Sequence, residues 1–165
     1  MKVEFFKHNV SEKDITRVKN ILSDAFLTTG KEVKKFEDMF ASYLGAKHCV
    51  GLTSCTAALH LSLLAHNIGP GDEVITTPMT FIATSNTILY TGASHVFIDV
   101  EPDTGLMDVN KIEAAITPKT KAIIPIHLYG QMCDMKTIRE LANKYNLFVI
   151  EDCAHAIEAK RDGIK

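Results

Sequence analysis

Asp152 and His155 stand three residues apart in the stretch LFVIEDCAHA, residues 147–156. The apolar run at 147–150 reads as a buried strand of a parallel sheet, and ligands in such sheets bind just past the carboxyl ends of the strands. Asp152 can hold a cationic ring nitrogen there through a charge-assisted hydrogen bond. It can equally cap a following helix, and this stretch alone leaves both readings open. Three further groups occupy similar places. Ser54, Cys55, Thr56 and Ala57 fill a strand-to-helix turn, where free N–H groups, hydroxyls and small residues suit a phosphate; ordinary N-capping by Ser54 and Thr56 is the plainer reading. Phe81 follows another strand end and can lie flat on a planar ligand or pack as core. His127 and Tyr129 sit at a further strand end, where they can line one crevice or simply close a turn at Gly130.

These side chains need a scaffold, and the residue pattern predicts one. Ser11 caps a helix carrying Ile15, Val18, Ile21 and Leu22, which gives out near Phe26. A connection at 27–30 uses Gly30 for conformational freedom. A second helix carries Val33, Phe36, Met39, Phe40, Tyr43 and Leu44, and Gly45 ends it. Strands are then expected at 48–52, 73–77, 95–100, 121–127 and 148–151. Helices are expected at 57–65, 80–90, 108–116 and 134–145. Gly69, Pro70, Gly71 and Asp72 form a turn. Alternation of this kind argues an α/β fold with a mainly parallel sheet flanked by helices. Residues 1–45 form an N-terminal helical segment and 46–165 the sheet-bearing part.

Bulk properties exclude several classes. The 165 residues are 46 % hydrophobic, enough for one core, and the net charge of −2 supplies no basic field for nucleic acid. No apolar run is long enough to span a bilayer. The N-terminus lacks the apolar core of a signal peptide, so a cytoplasmic location is the expectation. Cys49, Cys55, Cys133 and Cys153 form no C-x-x-C pair, and the seven histidines show no metal-ligand spacing. Neither G-x-x-x-x-G-K-[ST] nor G-x-G-x-x-G occurs, which weighs against a nicotinamide-binding Rossmann protein. A phosphate seat, an aromatic plate, polar side chains and a carboxylate together fit a planar phosphorylated heterocycle with a basic ring nitrogen. Pyridoxal 5′-phosphate answers that description.

At this point the stretches amount to a family resemblance. LTTGKEVKKFEDMFASYLGAKHCVGLTSCTAALHLSL, IGPGDEVITTPMTFIATSNTILYTGA, VFIDVEPDTGLMD, IEAAITPKTKAIIPIHLYGQMCDM and FVIEDCAHAIEA stand in one order and spacing. The sequence resembles the N-terminal half of the DegT/DnrJ/EryC1/StrS family of pyridoxal-phosphate-dependent sugar aminotransferases. The resemblance implies part of the large domain of the aspartate-aminotransferase-like fold, fold type I. It implies that Thr56 and Ala57 help hold the cofactor phosphate, with Ser54 and Cys55 beside them in the cofactor site, that Phe81 stacks on the ring and that Asp152 pairs with the ring nitrogen. His155 is implied near the phenolic oxygen, and Thr29 and Gly30 toward the substrate. The family commonly carries Gly or Ala where this chain has Cys55.

The family's Schiff-base lysine lies downstream, in a segment of the S-F-x-x-x-K type; Lys160 and Lys165 come too soon to take its place. The expectation is therefore an N-terminal fragment, inactive alone, of an enzyme that passes an amino group, commonly from glutamate, to a nucleotide-linked keto-sugar. The resemblance also implies a homodimer. A sugar dehydratase of the same fold, using the pyridoxal or pyridoxamine cofactor with a histidine for the lysine, is one alternative. A non-catalytic truncated homologue or interaction module is the other.

Overall fold

The computed structural model describes residues 8–24, 27 and 30–164. The chain divides into two compact units, Met1–Gly51 and Leu52–Lys165.

The first unit is helical. Ser11 opens α1, Glu12–Leu22, through a capping box in which the Ser11 hydroxyl accepts from Asp14 N–H and the Asp14 carboxylate reaches back to the Ser11 N–H. Helix α2, Lys31–Leu44, ends at Gly45, whose φ of 68° is the left-handed conformation that spares glycine a steric cost. Gly30 is its N-cap at φ −90°, a conformation open to any residue, so the freedom expected of this glycine is not used. The strand expected at 48–52 does not form. The Gly51 N–H is taken by the Glu37 carboxylate at 2.8 Å instead of by a neighbouring strand. Strands need a backbone partner, and here a helix side chain supplies it.

The second unit carries the sheet. Helix α3, Cys55–Ala65, precedes β1, Glu73–Thr76; then come α4, Ala83–Tyr90, and β2, Ser94–Phe97. A 3₁₀ turn at Val109–Lys111 leads into α5, Ile112–Ala115. Strand β3, Thr120–Ile123, a 3₁₀ turn at Leu128–Gly130, α6, Met135–Tyr145, and β4, Phe148–Val149, complete the order. All pairings are parallel, in the spatial order β2-β1-β3-β4. The strands are shorter than their sequence patterns, but backbone bonding runs on. Ile150 N–H reaches Ile123 O, Asp152 N–H reaches Pro125 O and His127 N–H reaches Asp152 O.

Side chains alternate across this sheet with the two-residue period of a strand. Val74, Ala122 and Ile124 pack with Leu59 and Leu63 of α3 and Ile88 of α4. Ile75 and Ile123 pack with Ile112 of α5 and Ile138 and Ala142 of α6. Helices thus cover both faces, which is why the strands read as continuous apolar runs. From β1 the chain moves one way to β2, then returns to place β3 on the other side of β1. The reversal makes the carboxyl ends of β1 and β3 a switch point, the place where such sheets take ligands.

Helix α4 begins three residues later than its sequence pattern. Pro78 follows β1, the Thr77 hydroxyl accepts from Met79 N–H at 3.1 Å, and Thr80 N–H turns back to Pro78 O at 3.0 Å. This tight turn delays the helix and leaves Phe81 exposed ahead of it.

Candidate active site

Asp152 is placed by backbone before its side chain acts. It forms an isolated parallel bridge with Ile126, so the extension of β3 dictates where its Cα lies. The residue is 7 % exposed. Its Oδ2 accepts from the Thr84 hydroxyl at 2.9 Å and its Oδ1 from Ala154 N–H at 3.2 Å. The Cys55 thiol faces Oδ1 at 3.7 Å. Residues 153–164 contain no helix, so the helix-capping reading of Asp152 is not realised; its local backbone bond closes a turn.

Cys55 is the first residue of α3, so this contact brings the helix N-terminus to the carboxylate. Ser54 is the N-cap: its hydroxyl oxygen accepts from Ala57 N–H at 3.1 Å, and its carbonyl accepts from Ala58 N–H. The capping reading of Ser54 therefore holds. It leaves the N–H groups of Cys55 and Thr56 beyond the reach of any intrahelical acceptor, which is the donor pair an anion needs. Partial burial, and then the neighbouring Asp152 carboxylate, push the Cys55 thiol up to about 11. Phe81 stands at the start of α4, 74 % exposed. Its carbonyl accepts from Thr84 N–H at 3.2 Å, so one turn carries both the aromatic plate and the hydroxyl that grips Asp152.

His155 is exposed in the turn after Asp152. Its ring lies against Tyr129 with centroids 5.5 Å apart and an interplanar angle of 10°. Tyr129 is held at φ 52°, an uncommon conformation for a bulky residue, inside the 3₁₀ turn. Of the two readings open for His127 and Tyr129, the shared crevice does not form. Tyr129 is 75 % exposed, whereas His127 is 1 % exposed. The left-handed turn at Tyr129 sends its ring outward, while His127 lies inside the ladder. His127 Nδ1 accepts from Cys133 N–H at 3.2 Å, and its Nε2 meets Glu151 Oε2 at 2.9 Å. The Cys133, Cys153 and Glu151 side chains favour protonating this ring against the cost of burial. A second ring proton would nevertheless have to displace the Cys133 N–H from Nδ1, so the geometry assigns one proton, on Nε2, given to Glu151.

Thr29 lies outside the described residues, and Gly30 belongs to the first unit. The structure thus gathers Cys55 with its helix terminus, Thr84 and Asp152 at one place, and pairs His155 with Tyr129. The sequence reading missed Thr84. The signal was the spacing of Thr80 and Thr84, four residues apart on the turn that follows a strand end. A surface depression lined by Ile116, Thr117, Lys121, Tyr145 and Phe148 lies at the amino ends of β3 and β4, the end of the sheet away from this chemistry.

Comparison with known proteins gives consistent matches. The model of the DegT/DnrJ/EryC1/StrS aminotransferase family matches residues 8–165. The spore coat polysaccharide biosynthesis protein SpsC of Bacillus subtilis is 50 % identical over 148 residues, covering 90 % of this chain and 38 % of that protein. GDP-perosamine synthase of Caulobacter vibrioides is 50 % identical over 138 residues, covering 84 % of this chain and 37 % of that protein. Among solved structures, S. venezuelae DesV in complex with a ketimine intermediate superposes with a TM-score of 0.90 at 38 % identity, covering 92 % of this chain and 41 % of that one. NtdA of Bacillus subtilis with bound cofactor PMP gives 0.86 at 37 % identity, covering 93 % and 36 %. The chain therefore spans well under half the length of the relatives it matches.

Proposed function

Because the chain belongs to the DegT/DnrJ/EryC1/StrS aminotransferase family, we propose that it is the N-terminal part of a pyridoxal-phosphate-dependent enzyme that moves an amino group from an amino acid to a nucleotide-linked keto-sugar. Its parallel sheet with helices on both faces is part of the large domain of fold type I. The observation that carries the reading is the junction of α3 with Asp152: Cys55, first residue of a helix with spare N–H donors, sets its thiol 3.7 Å from the buried carboxylate.

The residues fit the cofactor. The N–H groups of Cys55 and Thr56, with the Ser54 and Thr56 hydroxyls, suit a phosphate. The exposed Phe81 ring has a face free for a planar partner. Asp152 would accept the N–H of a protonated ring nitrogen and so hold that proton in place. His155, kept in orientation by Tyr129, would stand toward the phenolic oxygen. When bound, pyridoxal phosphate supplies the electron sink for the amino-group transfer. The covalent lysine and the rest of the substrate site would come from the length of the relatives that this chain does not span, and a homodimer would supply a second subunit. The 165-residue chain alone would accordingly lack turnover. Glutamate is the proposed donor. The relative named GDP-perosamine synthase supports a nucleotide sugar as acceptor.

The test is Asp152→Asn in the full-length enzyme, with each half-reaction followed by stopped-flow absorbance. The expected result is near-complete loss of amino transfer with pyridoxal phosphate still bound. Half-reaction rates within a few-fold of wild type would defeat the assignment.

A further inference from the structure

The hydroxyls of Thr80 and Thr84 lie 2.8 Å apart, and Thr84 Oγ1 lies 2.9 Å from Asp152 Oδ2. Thr84 is 1 % exposed, so no bulk water competes for its bond to Asp152; the outer bond from Thr80 is part-buried. The direction of both bonds follows from proton count. A carboxylate oxygen has no hydrogen to give, so Thr84 donates to Asp152. Each threonine hydroxyl has one hydrogen, and that of Thr84 is then spent. Thr80 must therefore donate to Thr84. The result is a one-way relay, Thr80 to Thr84 to Asp152, in which each bond polarises the next.

The two oxygens have different partners. Oδ2 is committed to the Thr84 hydroxyl inside the fold, while Oδ1 accepts from Ala154 N–H and faces Cys55 at the α3 terminus. Carboxylate rotation about the Cβ–Cγ bond is broad when unrestrained. The Thr84 hydroxyl on Oδ2, with Ala154 N–H on Oδ1, sets that torsion, and of the two donors Thr84 is the one a side-chain substitution can remove. Thr84 also donates its N–H to the carbonyl of Phe81, so the turn that orients the carboxylate is the turn that carries the aromatic plate.

We propose that Thr84, backed by Thr80, is a positioning residue that orients the Asp152 carboxylate toward the cofactor ring nitrogen. The inference rests on Asp152 being that partner. Val removes the hydroxyl at nearly constant shape, and Ser restores it.

The experiment uses the full-length enzyme with Thr84→Val, Thr84→Ser and Thr80→Val. Two quantities are read: the pyridoxal phosphate dissociation constant from an absorbance titration, and the pH midpoint of the bound cofactor's visible spectrum. Loss of a buried bond to a charged group predicts roughly ten-fold weaker binding for Thr84→Val. Its spectral midpoint shifts in the same variant. Thr84→Ser returns both quantities to within about two-fold of wild type, and Thr80→Val gives a smaller effect of the same sign, as loss of the outer bond requires. Should Thr84→Val not fold, the sign and size of the Thr80→Val effect decide. Unchanged binding and spectrum in Thr84→Val, or equal damage in the Ser and Val variants, overturns the relay while leaving the Asp152 reading in place. A wild-type enzyme that does not bind pyridoxal phosphate overturns both.

Discussion

His127 and Glu151 meet at 2.9 Å across the extensions of β3 and β4, and Glu151 is held on its other oxygen by Arg139 at 3.2 Å. The imidazole also secures Cys133 N–H just before α6. One ring therefore ties two strand ends and a helix entry. His127→Ala would leave a cavity, an unpaired buried N–H and a carboxylate without its inner partner. The expected loss is about 3 kcal/mol, read as a lowered urea midpoint with unchanged slope. A midpoint within experimental scatter of wild type would show that the ring is packing alone.

The same pair predicts acid sensitivity. The hydrogen bond from His127, and then that from Arg139, hold the Glu151 carboxyl below its ordinary value of 4.5. A carboxyl lowered on folding contributes stability that is fully present above 4.5 and is lost as pH falls through the folded value. Stability should fall on acidification below that point, and Glu151→Gln should flatten this part of the profile while costing stability at neutral pH. Parallel profiles for the two proteins between pH 3 and pH 5, from urea midpoints at each pH, would remove Glu151 as a cause.

Much of this site could be read from residues in order. The helix start at 54–57 is legible because a hydroxyl ahead of small residues suits an N-cap, and the Ser54 hydroxyl accepts from Ala57 N–H as that composition requires. The strands at β1 and β3 were legible because sheets covered on both faces need unbroken apolar runs. What was not legible depended on contacts between distant residues. Thr84 and Asp152 are 68 positions apart, and the spacing of Thr80 and Thr84 marks a pair of hydroxyls without telling which carboxylate they meet. His127 and Tyr129 are two positions apart and read alike in sequence; only the left-handed backbone at Tyr129 separates an inside residue from an outside one. The stretch at 48–52 carries strand-like residues, but its Gly51 N–H found Glu37 first.

Ser54 separates fold from binding. Its hydroxyl satisfies one of the helix's first N–H groups, and Ser54→Ala should cost about 1 kcal/mol. The freed Ala57 N–H would then turn toward solvent or toward an anion. Ser54→Asp keeps the cap but places a negative charge at the proposed phosphate seat. Melting curves should therefore rank Ser54→Asp with wild type and above Ser54→Ala. Pyridoxal phosphate binding should rank Ser54→Asp below both. If the aspartate variant binds the cofactor as tightly as wild type, the phosphate is held elsewhere.

Cys55 offers a chemical probe of the junction between α3 and Asp152. Its thiol is raised from an ordinary 9.0 to about 11, first by burial and then by the facing carboxylate. The thiolate is the species that reacts with alkylating agents. At pH 8 the raised value leaves about a hundredfold less thiolate than an unperturbed thiol would have. Iodoacetamide labelling of Cys55, followed by peptide mass spectrometry, should run about two orders of magnitude slower in the native protein than in the same protein unfolded in urea. Asp152→Asn removes the second cause and leaves the first, so it should recover only part of that factor. A native rate within about three-fold of the unfolded one would mean that Cys55 and Asp152 do not face each other in solution.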